Sequence, residues 1–316
     1  MQDFEDSSPI ASDRAALRGR LREDGYLFFR GLLDREVVGA LAGQALAVLT
    51  EHGWFEPGTR QLALPPRKGE EGRSPHGDPG YEGTVALDAF QGLSYDAGLR
   101  RLMRTLIGDD AFPLPSWAQR TAENPYPARA SVLRTVYPQS LVPVHNGMYE
   151  HQDYRVFGVV DMFTAWVPLI PIDRSMGGLA VRAGGHANGL LTDRRLVDSG
   201  SGWRTTDYEV GDVLVFHALT PHAALPNNSD RLRLSADTRF QSTKAPLVSA
   251  FAYGMRGSAD FFETPFMSQE WWEPVPDTVR VVERELFEAE PPLTASDFVP
   301  VPGFPDPALL DAAPAH

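Results

Sequence analysis

The sequence predicts a mainly β fold with flanking helices: an antiparallel sandwich or barrel with helices packed outside it. Three observations carry this. From residue 130 onward, short segments rich in Val, Leu, Phe, Trp and Thr recur at 131–137, 157–168, 179–183, 206–210, 213–217 and 231–240. Turn signals separate them, namely Pro138, Pro171, Gly177-Gly178, Gly184-Gly185, Gly211-Asp212 and Asn227-Asn228, which is the punctuation of antiparallel strands. Helical signals fall before residue 110, and no helical crossover lies between the strands, which argues against a doubly wound parallel sheet.

Taken in order, Ser12 and Asp13 can cap a helix over 13–23 that Gly25 ends. Tyr26-Leu27-Phe28-Phe29 reads as a strand. Asp34 caps a second helix, whose apolar stripe is Val37, Val38, Leu41, Ala45, Leu46 and Leu49 and whose end is Gly53. Residues 56–84 are rich in Gly, Pro and charge and read as a long surface loop, a length that suggests a task such as covering a site. Ser94 starts a helix to Leu106, stopped by Gly108-Asp109-Asp110. An amphipathic helix is expected over 276–289, followed by a proline-rich tail. No repeat and no linker is visible, so a single domain over 1–316 is expected: a helical part about 12–110, a β core about 128–245 and a C-terminal extension about 258–316.

Composition narrows the function. The chain has 316 residues, of which 42% are apolar, enough for a sizeable core. Acidic residues outnumber basic ones, 42 to 29, for a net charge of −13; a nonspecific nucleic-acid binder needs the opposite sign. Cysteine is absent, which excludes disulfide scaffolds, cysteine-ligated zinc, thiolate iron–sulfur clusters and cysteine nucleophiles. The polar, acidic start is unlike a signal peptide, and no uncharged apolar run reaches the ~18 residues of a membrane span. A cytoplasmic protein is expected, monomer or homodimer, acting on a small molecule and not on nucleic acid or membrane.

The chemistry gathers in two stretches. In His151-Gln152-Asp153, strand alternation turns residues i and i+2 to one face, so an imidazole and a carboxylate converge. One more histidine completes a face of two histidines and one carboxylate, which leaves positions open on Fe(II). In Gly211–His222 a turn and strand carry two histidines, His217 and His222, that compete for the third place. Arg231, Arg233 and Ser235 then share one face of an alternating strand. An arginine pointing inward needs an anion, and its fork suits a carboxylate.

These stretches, with DGYLFFRGLLD, AWVPLIPIDRSMGGLAV and GDVLVFHALTPHAALPNNSDRLRLSADTRF, resemble the phytanoyl-CoA dioxygenase family of Fe(II)- and 2-oxoglutarate-dependent oxygenases over roughly residues 24–240. The resemblance implies a double-stranded β-helix (jelly roll, cupin-like) core. It implies His151, Asp153 and His222 as iron ligands and Arg233, eleven residues after the distal histidine, as the cosubstrate arginine. It thereby favours His222 over His217. Asn227 matches a recurrent polar position and joins Arg233 and Ser235 on the cosubstrate side; Ser235 is added because it shares the face of Arg233. Where the family commonly reads PGSH, this chain has Ala183-Gly184-Gly185-His186.

The implied activity is hydroxylation of an unactivated C–H bond in a small metabolite, probed by O2 and coupled to decarboxylation of 2-oxoglutarate. Related halogenating enzymes lack the carboxylate ligand, so Asp153 points to hydroxylation. Arg134, Gln152, Trp166 and His145 are the candidate substrate contacts; Arg134 could bind a substrate anion or pair with an acid, and Trp166 could simply pack. The acidic chain shows no basic cluster for a coenzyme A phosphate, which favours a free metabolite, such as a biosynthetic intermediate, over an acyl thioester. The residues leave two alternatives: a cupin-like metal enzyme that does not use 2-oxoglutarate, and a non-catalytic binding protein with a retained site.

Overall fold

A computed structural model describes residues 1–56, 58–59, 62–63, 78–114, 131–142, 148–154, 162–189, 191, 202–245, 247–248 and 281–282. The early helices form where capping chemistry places them. The Asp13 carboxylate accepts from the Ala15 and Ala16 N–H groups at the start of α1 (Arg14–Asp24), and Gly25 ends it at φ 77°. Asp34 caps α2 (Arg35–Glu51) in the same way and the helix buries Val38, Leu41, Ala42, Ala45 and Leu49.

Two expectations for this part change. The segment 56–84 is not all loop: Asp78 caps a helix, α3 (Pro79–Val85), with proline in its first turn. Its glycines serve close packing, since a Cβ on Gly80 would lie 2.8 Å from Trp54 Nε1 and one on Gly83 would lie 2.9 Å from Val48 Cγ1. After α4 (Asp88–Gly92), the next helix, α5 (Ala97–Leu106), is capped by Asp96 and not by Ser94. Ser94 is instead buried, its hydroxyl within hydrogen-bond reach of Ser131 and Thr238. Arg14 and Arg18 of α1 donate to the carbonyls of Ile107 and Leu106, satisfying the open end of α5.

The strands are β1 (Tyr26–Phe29), β2 (Ala111–Leu114), β3 (Ser131–Val136), β4 (Met162–Pro168), β5 (Leu179–Arg182), β6 (Trp203–Arg204), β7 (Val213–His217), β8 (His222–Ala224), β9 (Arg233–Ser242), β10 (Leu247–Val248) and β11 (Val281–Val282). Among the described residues they make a six-stranded antiparallel sheet, β1-β7-β4-β9-β2 with β3 also on β9, and a three-stranded antiparallel sheet, β6-β5-β8. No strand pairing closes the two sheets into a barrel among the described residues. Residues 206–210 are not a strand; only Tyr208 pairs, with Ile172, and the edge strand lies at β6. The 231–240 strand starts two residues later, and Arg231 instead pairs with Asp173 at 2.6 Å on the surface. Of the 276–289 segment expected as a helix, 281–282 is described and runs parallel to β10 as a strand. Residues 157–161 of the expected 157–168 strand, and the rest of the tail, lie outside the described residues.

Strand alternation divides the core. One face of the large sheet carries Leu27, Phe29, Leu133, Phe163, Ala165, Val167, Val213, Val215, Leu234 and Ala236, which pack with Leu17, Leu21, Leu41, Leu99 and Leu102 of the helices. The other face carries Tyr26, Phe28, Trp166, Leu214 and Phe216, which pack with Leu179, Val181 and Tyr208 of the smaller sheet and its flank. The inner face of β9 is different: Arg233, Ser235, Asp237, Arg239 and Gln241 are all buried there.

The acidic start of the chain joins the two sheets. Gln2 bridges to Arg204 at the edge of the small sheet and Asp6 to Phe28 at the edge of the large one. Phe4 lies between them, 5.2 Å from the ring of Phe28 and 5.0 Å from that of Tyr26. Glu5 pairs with Arg20, and Asp3 with Arg174 at 2.7 Å. Among the described residues no helix is long and apolar enough to cross a membrane.

Candidate metal centre

His222 opens β8, and across from it runs the segment 149–154. The two chains exchange both backbone hydrogen bonds, His151 N–H to His222 O at 3.0 Å and His222 N–H to His151 O at 2.9 Å. This is a hydrogen-bonded antiparallel pair, whose side chains stand on one face; the ring centroids are 4.2 Å apart. Asp153 follows two residues after His151, and a donor atom from each of His151, Asp153 and His222 lies within 4.8 Å of the others.

The ring tautomers suit a metal. His151 Nδ1–H donates to Tyr149 O at 2.8 Å and His222 Nδ1–H to Thr220 O at 3.0 Å. A carbonyl only accepts, so each Nδ1 carries the proton and each Nε2 keeps its lone pair. Burial pushes the His222 pKa down, against the pull of Asp153, so the ring is neutral. Burial would raise the Asp153 pKa, but the Arg239 guanidinium and a hydrogen bond from Thr164 outweigh it and hold the carboxyl well below the usual carboxylate range. Two imidazoles that turn Nδ1 to a carbonyl and leave Nε2 for a metal, with one carboxylate, are the donor set that suits Fe(II).

His217, the rival for the third place, ends β7 on the opposite face. Its Nδ1 accepts from Leu219 N–H at 3.2 Å and its ring edge meets Phe163 at 5.6 Å. Burial pushes its pKa down to about 3. It is a core histidine, and β7 directs it away from His151.

Arg233 and Ser235 lie on the inner face of β9. Arg233 is 2% exposed. Its Nη1 donates to Gly177 O at 2.8 Å and its Cζ stands 5.8 Å from the Trp166 ring centre, yet its Nε has no partner. No carboxylate among the described residues forms an ion pair with it. Burial pushes its pKa down to about 10, so it is charged at neutral pH and its charge is uncompensated. Ser235 Oγ is also buried without a partner. An unpaired buried guanidinium beside an unpaired hydroxyl fits an incoming carboxylate, which satisfies both. The donor sets for iron and for the distal carboxylate of 2-oxoglutarate are thus both present in the chain.

Gly177 holds this arrangement. It sits at φ +70°, and a Cβ there would lie 2.2 Å from Pro226 O and 2.5 Å from Leu225 O. We expect Gly177→Ala to lose about 2–4 kcal/mol of stability from left-handed strain and overpacking. A denaturant midpoint unchanged from the parent contradicts this.

The remaining expected site residues divide. Trp166 is buried against Tyr208, with ring centres 4.7 Å apart, and packs. Gln152 does not reach toward the metal: its Nε2 donates to Gly189 O and Leu219 O, both at 2.7 Å, and its Oε1 accepts from Leu191 N–H at 2.9 Å. It braces the backbone of the segments around it, and the strand expected at 151–153 is a bridge residue followed by a turn. Asn227 is likewise a loop brace and not a cosubstrate contact, with Nδ2 donating to Val136 O and Arg231 O and Oδ1 accepting from Ser229. Arg134 lies opposite Ser235 in the β3–β9 register and shares its face; its Nε donates to Asp237 at 2.7 Å and its side chain is 38% exposed. His145 lies outside the described residues.

The sequence reading missed Thr164, Asp237 and Arg239. The signal was available, since the alternation that selects Arg233 and Ser235 continues to Asp237 and Arg239 on the same face.

A family model described as phytanoyl-CoA dioxygenase (PhyH) matches residues 21–235. The chain belongs to the phytanoyl-CoA dioxygenase family. As a member with this donor set, it is an Fe(II)- and 2-oxoglutarate-dependent oxygenase. The two alternatives that the residues alone left open give way to that membership. Within the family it is 31% identical to 1-deoxypentalenic acid 11-beta-hydroxylase of Streptomyces arenae, over 76% of this chain and 85% of the relative. It is 29% identical to the enzyme of the same name from Streptomyces exfoliatus, over 76% and 86%. Among solved structures it is similar to the epimerase SnoN from nogalamycin biosynthesis, with TM-score 0.49, 18% identity and coverage of 90% of this chain and 97% of that one.

Proposed function

We propose that this oxygenase hydroxylates a C–H bond of a small organic acid. In this reading His151, Asp153 and His222 hold the iron, Arg233 and Ser235 hold the distal carboxylate of 2-oxoglutarate, and Arg134 meets the carboxylate of the substrate. The observation that carries it is the pairing of a three-donor face with a buried guanidinium that forms no ion pair among the described residues. Two relatives bear the name of a hydroxylase of an acid, and Arg134 supports the same class here. It shares the face of Ser235, it is half-exposed, and Asp237 engages its Nε alone. The two sheets packed face to face would be the halves of a jelly roll, within a single domain of a cytoplasmic enzyme, monomer or homodimer.

Bound iron and 2-oxoglutarate would supply the oxidising chemistry, in which O2 gives one oxygen atom to succinate as 2-oxoglutarate loses carbon dioxide and the other to the C–H bond that becomes C–OH. The chain's own residues set the geometry. Thr164 and Arg239 fix the Asp153 carboxylate, and the carbonyls of Tyr149 and Thr220 fix the two imidazoles. Arg233 orients the cosubstrate from the rear of the cavity. Trp166, Leu214 and Phe216 make the inner face apolar and exclude water from one side.

The test is anaerobic loading with Fe(II) and 2-oxoglutarate, then oxygen and a panel of cyclic organic acids, with succinate and hydroxylated product measured together. Succinate released in step with product from an acid, and not from its amide, supports the reading. We expect Arg134→Ala to raise KM for the acid by ~10–100-fold, the worth of a charged hydrogen bond, while KM for 2-oxoglutarate stays. Equal KM for acid and amide in the parent contradicts the substrate class.

A further inference from the structure

The two oxygens of Asp153 are not equivalent. Oδ2 accepts from Thr164 Oγ1–H at 2.6 Å and from Arg239 Nε–H at 3.1 Å, whereas Oδ1 stands 3.7 Å from His222 Nε2. Arg239 is held in turn: its Nη1 donates to Asp237 Oδ1 at 2.9 Å, and Asp237 Oδ2 accepts from Arg134 Nε at 2.7 Å. Asp153, Arg239, Asp237 and Arg134 therefore form one row of alternating charge, from the metal face to the half-exposed edge strand. Arg239 is 3% exposed, so these charges act through a weakly screening interior.

We propose that Arg239 is a positioning residue that reserves Asp153 Oδ1 for the metal by occupying Oδ2, with Asp237 and Thr164 as its supports. This rests on His151, Asp153 and His222 being the iron ligands. A free carboxylate can turn either oxygen, or both, toward a cation. With Oδ2 pinned by two donors, Asp153 offers one oxygen, and the remaining positions on the metal stay open for cosubstrate and oxygen. Strand pairing does not need the ion pair: β4 and β9 are already registered from Met162 with Gln241 to Pro168 with Ser235. Arg239 pairs with the carboxylates of Asp153 and Asp237, which ties it to the metal face.

The test uses the full chain with Arg239→Met, Arg239→Lys, Thr164→Val and Asp237→Asn. Anaerobic Fe(II) titration reads affinity, and the visible spectrum of the Co(II)-substituted protein reads coordination geometry. Arg239→Met is expected to weaken Fe(II) binding by ~10–100-fold, the usual cost of losing an outer-shell partner, and to change the Co(II) spectrum. Arg239→Lys regains part of the affinity, and Thr164→Val gives a smaller loss with the same spectral change. A purely structural arginine would lower the unfolding midpoint and leave the Co(II) spectrum of the folded protein as in the parent; that result overturns the proposal. Should Arg239→Met fail to fold, the two near-isosteric variants carry the test: a changed spectrum in either supports it, and parental affinity and spectrum in both overturn it. A parent chain that binds neither metal overturns the ligand assignment itself and the proposal with it, an outcome separate from the others because it appears before any substitution.

Discussion

Arg233→Met is expected to do two opposite things: raise KM for 2-oxoglutarate by ~100-fold or more and leave the unliganded protein at least as stable as its parent. The first effect follows from removing a fork that gives two parallel, charge-assisted hydrogen bonds to a carboxylate. The second follows from what surrounds Arg233 without ligand. It is buried, it makes one hydrogen bond, to Gly177 O, and its Nε is unsatisfied. Burial pushes its pKa down to about 10, so below that value Arg233 is charged and its charge costs more in the folded state than in the unfolded chain. The cost is on the order of 3 kcal/mol, offset in part by the ring of Trp166. Methionine keeps most of the packing without the charge, so a thermal midpoint equal to or above the parent's is expected together with the loss of cosubstrate affinity. Lysine recovers little, because a point charge cannot copy the fork. An unchanged KM contradicts the assignment, and a large fall in midpoint contradicts the account of an unpaired cation.

Asp153→Ala is expected to abolish succinate formation and to weaken Fe(II) binding well beyond the ~10–100-fold typical of an outer-shell loss. The substitution removes the one anionic donor of the face and leaves the two imidazoles. It also strips Arg239 of the Asp153 carboxylate, leaving the Asp237 carboxylate still paired with it. Breaking a buried pair from one side typically costs ~3–5 kcal/mol, and the apoprotein should lose stability by a fraction of that because Asp237 remains. Metal content and unfolding midpoint are therefore measured together. Parental Fe(II) affinity in Asp153→Ala removes this residue from the metal site.

Much of the site was legible in the sequence because strand alternation is a strict rule. It turns Arg233 and Ser235 together on β9. His151 and Asp153 also converge, but there His151 is an isolated bridge residue and Asp153 lies in the turn after it, so the pair meets without the strand that the spacing suggested. Alternation could not choose between His217 and His222, since that choice depends on which chain lies opposite: His222 pairs with His151 across a bridge, and His217 faces the helices. Helices α1 and α2 were legible through aspartate caps and terminal glycines. Helix α3 was not, because its glycines mimic a loop while serving contact with Trp54 and Val48. Strand β8 was missed because His-Ala-Ala has little strand preference of its own, and its pairing is supplied by β5. The N-terminal bridge between the sheets left no periodic signal, as it rests on two isolated backbone bridges and on Phe4 entering an aromatic cluster. Gln152 and Asn227 were identified as polar residues at the right places, but a buried amide is satisfied by whichever backbone surrounds it, and here that is the loop.

The most direct measurement is an anaerobic titration of the full chain with Fe(II) in the presence of 2-oxoglutarate, followed by its visible charge-transfer absorption. One equivalent of iron should develop the band in the parent, with none in Asp153→Ala and a far higher 2-oxoglutarate requirement in Arg233→Met. A parent chain that takes up no iron, or a band of equal strength in all three proteins, would show that His151, Asp153, His222 and Arg233 do not form one oxygenase site.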